Sequence, residues 1–165
     1  CTETNECKDH KFHCTDMAST CDVECSGIDS CQEAKLDGSP AEYFKVVCNA
    51  TNSCNEADVI CGENTKFCTI SCVADSCKGL KVLCIADECF IDCAGDYACE
   101  DIEISSCNGR EDAVDLKCTG SNACRGKLHS FAPPFLCGDV ESTGVKSPTK
   151  APTTKAPTTK APTTK

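Results

Sequence analysis

Residues 48–72 read CNATNSCNEADVICGENTKFCTISC. The five cysteines Cys48, Cys54, Cys61, Cys68 and Cys72 are separated by gaps of five, six, six and three residues. The first 25 residues, CTETNECKDHKFHCTDMASTCDVEC, carry the same gaps in the same order. Two segments that agree at every cysteine mark an internal repeat, and a period in the twenties is typical of stacked architectures.

The repeat extends through most of the chain. A first column runs Cys1, Cys25, Cys48, Cys72, Cys93 and Cys118, which sets a period of 21–25 residues. A second runs Cys7, Cys31, Cys54, Cys77, Cys99 and Cys124. The third column reads Cys14, Gly38, Cys61, Cys84, Cys107 and Phe131, and the fourth Cys21, Phe44, Cys68, Cys89, Val114 and Cys137.

Between the cysteines the apolar residues alternate, which is the period of a strand. CDVEC, FKVVC, CTISC, CFIDC and VDLKC precede the first-column cysteines, with Val23, Val46, Ile70, Ile91 and Leu116 pointing inward. A second set, EAKL, EADVIC, GLKVLC and EDIEIS, follows the second column, with Leu36, Val59, Leu80, Val82, Ile102 and Ile104 inward. The links SGIDS, NATNS, VADS and TGSNA are rich in residues that accept left-handed backbone. Two short strands and two tight corners per repeat describe one coil of a parallel β-solenoid. Such a unit cannot bury its own face and must stack on its neighbours. The fold expected is therefore all-β: a small disulfide-stapled parallel solenoid of about six coils over 1–140, with an extended Pro/Thr-rich tail over 141–165. Strings of EGF-like or knottin modules are the rival reading, but they lack constant strand-period apolar positions between the cysteines.

Composition agrees with a stapled scaffold. Twenty of 165 residues are Cys, eight are aromatic and none is Trp. So thin a core needs covalent support, and disulfides on this scale imply an extracellular location, secreted or at the cell surface. No apolar run approaches the length of a membrane span, and a chain beginning at Cys1 reads as processed or as part of something longer. Residues 1–145 hold all 26 acids and 11 of the 16 bases, while residues 146–165 hold five lysines and no acid. The acidic body argues against a nucleic-acid partner, and a basic tail beside it suggests docking of one on the other.

The gaps in the columns bear on disulfide pairing. Coil 2 lacks both its third- and fourth-column cysteines, and residues lost together are most simply partners. Pairing within coils gives Cys1–Cys7, Cys14–Cys21, Cys25–Cys31, Cys48–Cys54, Cys61–Cys68, Cys72–Cys77, Cys84–Cys89, Cys93–Cys99 and Cys118–Cys124. Cys107 and Cys137 remain and can join the last two coils. A ladder between stacked coils is the alternative; it would leave Cys14 and Cys21 without partners.

Other chemistry has less support. The chain has no C-x2-C knuckle, so a thiolate metal site is not expected. His10, His13 and His129 sit at opposite ends of the repeat array, and loops this short build no walled cleft, so no catalytic residue is assigned and no enzyme is expected. The corner position Asn5, Asp29, Asn52, Asp75, Tyr97, Asn122 is first a turn requirement, although its oxygens could also serve calcium. No other cofactor is implied. A small disulfide-braced solenoid resembles the insect antifreeze proteins in kind, which need a flat array of outward Thr. The outward pairs here, Asp22/Glu24, Lys45/Val47, Thr69/Ser71, Phe90/Asp92 and Asp115/Lys117, are irregular and charged. Asn49-Ala50-Thr51 is an N-glycosylation sequon at a corner.

From Ser147 the chain reads SPTKAPTTKAPTTKAPTTK, with Pro every fifth residue through the last three repeats. This composition favours extended polyproline II and reads as an O-glycosylated stalk, with Thr149, Thr153, Thr154, Thr158, Thr159, Thr163 and Thr164 as acceptors. The combination of C-x5-C repeats with a PTTK-rich tail resembles secreted cysteine-rich proteins of microalgae and related protists, some of which build surface filaments and flagellar hairs (mastigonemes). The resemblance implies a structural subunit of an extracellular glycoprotein filament or coat, self-assembling as a homo-oligomer or polymer and carrying covalent glycans. Coil 1 lacks a strand before its first cysteine, which leaves a place for another chain's end. The alternative is an adhesin or carbohydrate-binding head on a glycosylated stalk.

Overall fold

The computed structural model describes residues 1–15, 19–106 and 113–126, together with the backbone of 128–131. One parallel sheet contains β1 (Lys11–His13), β3 (Lys35–Asp37), β5 (Asp58–Cys61), β7 (Lys81–Cys84), β9 (Glu103–Ser106) and β11 (Leu128–Phe131), stacked in that order. The other contains β2 (Thr20–Cys25), β4 (Tyr43–Cys48), β6 (Phe67–Cys72), β8 (Glu88–Ala94) and β10 (Val114–Thr119). Each strand pairs with its counterpart in the next coil, so the chain is a parallel β-solenoid with no α-helix among the described residues.

A third side closes each coil, and it is built from turns. In coil 3 the amides of Ser53, Asn55 and Ala57 donate to the carbonyls of Ala50, Asn52 and Cys54, giving three overlapping four-residue turns. The third residue of each turn has positive φ: Asn52 at 56°, Cys54 at 55° and Glu56 at 56°. That is the signature of type II turns. The same triple recurs at Asn5/Cys7/Asp9, Asp29/Cys31/Glu33 and Tyr97/Cys99/Asp101, with Gly79 and Gly126 taking the last place in their coils. Side chains other than Gly are strained in this region, so other bonds must hold them. The amides supply some of these: Cys54 donates to Ser30 O and Cys77 to Ser53 O in the preceding coils, while Glu33 donates to Asn55 O in the following one. The turn side is thus a hydrogen-bonded ladder in its own right.

The corners therefore run two residues further than the sequence reading placed them. Glu33, Glu56 and Asp101, which the alternation pattern places in strands, are the last left-handed residues of the turns, and the strands begin afterwards. Leu80 and Ile102 nonetheless point inward and are fully buried.

Among the described residues nine disulfides close within coils: Cys1–Cys7, Cys14–Cys21, Cys25–Cys31, Cys48–Cys54, Cys61–Cys68, Cys72–Cys77, Cys84–Cys89, Cys93–Cys99 and Cys118–Cys124. First-to-second-column bonds staple the corner between the β2-containing sheet and the turn side. Third-to-fourth-column bonds staple the corner between the two sheets. Cys107 and Cys137 lie outside the described residues. The strand register also corrects the third column: Cys84 pairs with Ser106, and Ser106 with Phe131, so the buried Ser106 occupies that slot in coil 5.

The core is a stack of Val, Ile and Leu interleaved with half-cystines, including Leu36, Val46, Val59, Ile70, Leu80, Ile91 and Ile102. Val23 and Leu116 are only partly buried because β2 and β10 are the outermost described strands of their sheet. Coil 2, which has no second disulfide, fills the slot with Phe44, buried and in register with Cys21 and Cys68. Its ring lies over Gly38, where a Cβ would sit 2.2 Å from the ring. Gly and Phe therefore replace a cystine jointly. Gly38→Ala should destabilise the protein by roughly 1–3 kcal/mol through overpacking, seen as a lowered denaturant midpoint.

Candidate functional site

No walled cavity stands out among the described residues, so the surfaces that can act are three outer faces and the strand edges. The outer face of the odd-numbered sheet carries a charge ladder, Lys35, Asp58, Lys81 and Glu103, in register on consecutive strands. Beside it, half-buried Ile60 and Leu83 line a shallow groove of about 310 Å3.

The outer face of the even-numbered sheet differs. Tyr43 and Phe67 are in register, exposed, and stacked with centroids 5.6 Å apart and planes 15° from parallel. Phe90 is exposed on the next strand, in register with Thr69. A groove of about 190 Å3 runs between Phe67 and Phe90, bordered by Glu88 and Asp115. Tyr43, Phe67 and Glu88 are the first residues of β4, β6 and β8, one position before the fourth column, and so extend the outward rows by one residue at that end. Three of the chain's eight aromatic residues share this one face.

On the turn side the Asx stack has the positive φ that a turn role requires. Asn52 Nδ2 donates to Asp29 Oδ1 at 2.9 Å, and Asn55 Oδ1 accepts from the Lys78 amide at 2.8 Å. Among the described residues, the only groups of three or more close metal-ligand candidates are sulfurs already joined in disulfides. No three carboxylates converge at the corner considered for calcium. His13 Nδ1 lies 3.2 Å from Asp37, and His10 Nδ1 lies 3.0 Å from Lys8 O. Burial pushes the Asp37 carboxyl up, but the Ser39 hydroxyl and amide together with His13 outweigh it and leave it below its usual value.

Neighbouring coils are also tied by ion pairs: Lys8–Glu33, Lys66–Glu42, Lys78–Glu100 and Lys117–Asp92. Such exposed pairs each contribute little, but all join one coil to the next, so they reinforce register.

At the first coil, nothing among the described residues pairs with the outer edges of β1 and β2. The turn side is handled differently. Ser26 and Gly27 amides donate to Cys1 O in the coil before. Their counterparts in coil 1, the Thr2 and Glu3 amides, donate instead to the Glu6 carboxylate, at 2.5 and 3.0 Å. These bonds hold the Glu6 carboxyl below its ordinary value. With the carboxyl pKa lowered on folding, the contact's contribution to stability is fully present above the ordinary carboxyl value of about 4.3 and is lost as pH falls through the lower, folded value. The Thr2 and Glu3 amide resonances should therefore titrate together in acid, and Glu6→Gln should abolish that titration.

Asn49 is exposed immediately after β4, with Thr51 also exposed, so the sequon stands on an accessible corner. Its Nδ2 lies 3.4 Å from Glu24 Oε1. The tail threonines Thr149, Thr153, Thr154, Thr158, Thr159, Thr163 and Thr164 lie outside the described residues. No helix among the described residues is long and apolar enough to cross a membrane. Comparison of the chain with protein-family models, with curated proteins and with solved structures gives no match.

Proposed function

We propose that the protein is a structural subunit of an extracellular glycoprotein filament or surface coat. The observation that carries this reading is the unbroken parallel ladder in both sheets, in which each strand pairs with its counterpart in the next coil. The edges of such a ladder are templates for further pairing unless covered or blunted, and solenoid ends depend on dedicated caps to stay monomeric. Here the same ladder that joins coil to coil would continue into a second copy. Nine disulfides suit an oxidising exterior. Tail lysines would lie along the acidic body, and glycans on Asn49 and the tail threonines would coat the outside. The likeness of the repeat and tail to microalgal and protist surface proteins points the same way. Electron microscopy of the full chain from a eukaryotic secretory host tests the proposal, and glycopeptide masses covering Asn49 from the same material test the sequon.

One observation favours a second reading, a carbohydrate-binding head on a stalk: exposed aromatic rings on a flat sheet face can stack on sugars. Glycan-array binding that depends on Tyr43 and Phe67 and persists in the absence of assembly would support it.

A further inference from the structure

Four exposed aromatic side chains occur among the described residues, and three form a ridge on one face across coils 2 to 4: Tyr43 stacked on Phe67, with Phe90 beyond the groove. A ridge this apolar on the outside of a thin-cored protein needs an occupant. Its border is acidic at the Phe90 end, while Lys45 stands beside Tyr43 at the other. Glu88 is in register with Phe67, and Asp115 with Phe90. The chain itself contains a segment of complementary chemistry. Residues 147–165 supply proline at 148, 152, 157 and 162 and lysine at 150, 155, 160 and 165, with no acid. Aromatic-lined grooves recognise proline-rich segments in the polyproline II form, because the preformed helix loses little entropy on docking. Lengths agree as well. The ridge from β4 to β8 covers two strand spacings, about 10 Å, which one five-residue repeat of about 16 Å in that form can bridge with residues to spare at either side.

We infer that the ridge of Tyr43, Phe67 and Phe90 is the docking site for the Pro/Thr/Lys segment 147–165 of the adjacent copy. Prolines lie on the rings and lysines reach Glu88 and Asp115. In an end-on stack the last coil of one copy faces the first coil of the next, whose ridge begins at its second coil. The inference rests on the assembly reading above and gives tail docking an address: strand edges join the ends, and the tail straps the sides.

The test uses the full chain prepared as equal light and nitrogen-15-labelled batches, mixed and treated with a zero-length carbodiimide. Cross-linked peptides are then identified by mass. The expected result is Lys150, Lys155 or Lys160 joined to Glu88 or Asp115 in light–heavy pairs. These links should fall about tenfold in Tyr43→Ser/Phe67→Ser/Phe90→Ser, the effect of losing about 1.4 kcal/mol of docking, and stay unchanged in Tyr97→Ser on the turn side. Because the ridge residues are exposed, the circular dichroism of the variant should match wild type; Phe67→Ser alone, with a smaller fall, serves if it does not. Three results would overturn the inference: links confined to single-isotope pairs, links spread to Asp58 and Glu103 and indifferent to the ridge, or links displaced by soluble oligosaccharide, which would assign the ridge to sugar. Filaments without ridge links would sink this inference alone. Monomers without light–heavy links would sink the assembly reading with it.

Discussion

Reduction of the disulfides in native buffer, followed by thiol blocking, is expected to unfold the protein outright. Each staple closes a loop of only six to eight residues and contributes about 2.3 kcal/mol in the chain-entropy model. Nine such staples exceed the 5–15 kcal/mol that separates folded from unfolded states in ordinary domains. The bonds also hold strained backbone in place. Cys7, Cys31, Cys54, Cys77, Cys99 and Cys124 all sit at positive φ, and each is tied to a first-column cysteine. The β-sheet circular dichroism should therefore disappear on reduction and return on reoxidation. Removing one inner staple, as in Cys72→Ala/Cys77→Ala, should cost about 2 kcal/mol and leave a folded protein. A reduced, blocked chain that kept its native spectrum would show that burial alone suffices.

Phe44→Ala should be the most damaging single substitution, at roughly 3–5 kcal/mol. Phe44 is the largest fully buried side chain. It occupies the slot that a cystine fills in the coils on either side, between Cys21 and Cys68. Its removal leaves coil 2 with neither staple nor filler at that corner, and Gly38 offers no side chain to collapse into the gap. Equilibrium denaturation would read the loss as a lower midpoint. Ile91→Val, which removes one methylene from the same sheet, should cost only about 0.5–1.5 kcal/mol.

How much of this was legible in the sequence depends on what each feature requires. Strand positions were legible because alternation and cysteine columns coincide: Val46, Ile70, Ile91, Val59, Val82 and Ile104 are inward and buried. The turn side was only half legible. Asx at 5, 29, 52, 75 and 122 announces left-handed backbone, but Cys and Glu do not, and their conformation is imposed by cross-coil hydrogen bonds. An acid or Gly two residues after each second-column cysteine was the available signal. Ser106 displaced Cys107 from its column because register is set by hydrogen bonding between coils rather than by matching residue types. The aromatic ridge was missed for a related reason. Tyr43 and Phe67 are 24 positions apart, and their adjacency exists only once the coils are stacked.

If the protein is a filament subunit, the coil-to-coil ladder continues from one molecule into the next. Negative-stain electron microscopy of the intact chain, tail and glycans included, tests it most directly. The expected result is unbranched filaments of solenoid width that lengthen with protein concentration. Uniform monomers at high concentration with the tail intact would contradict it.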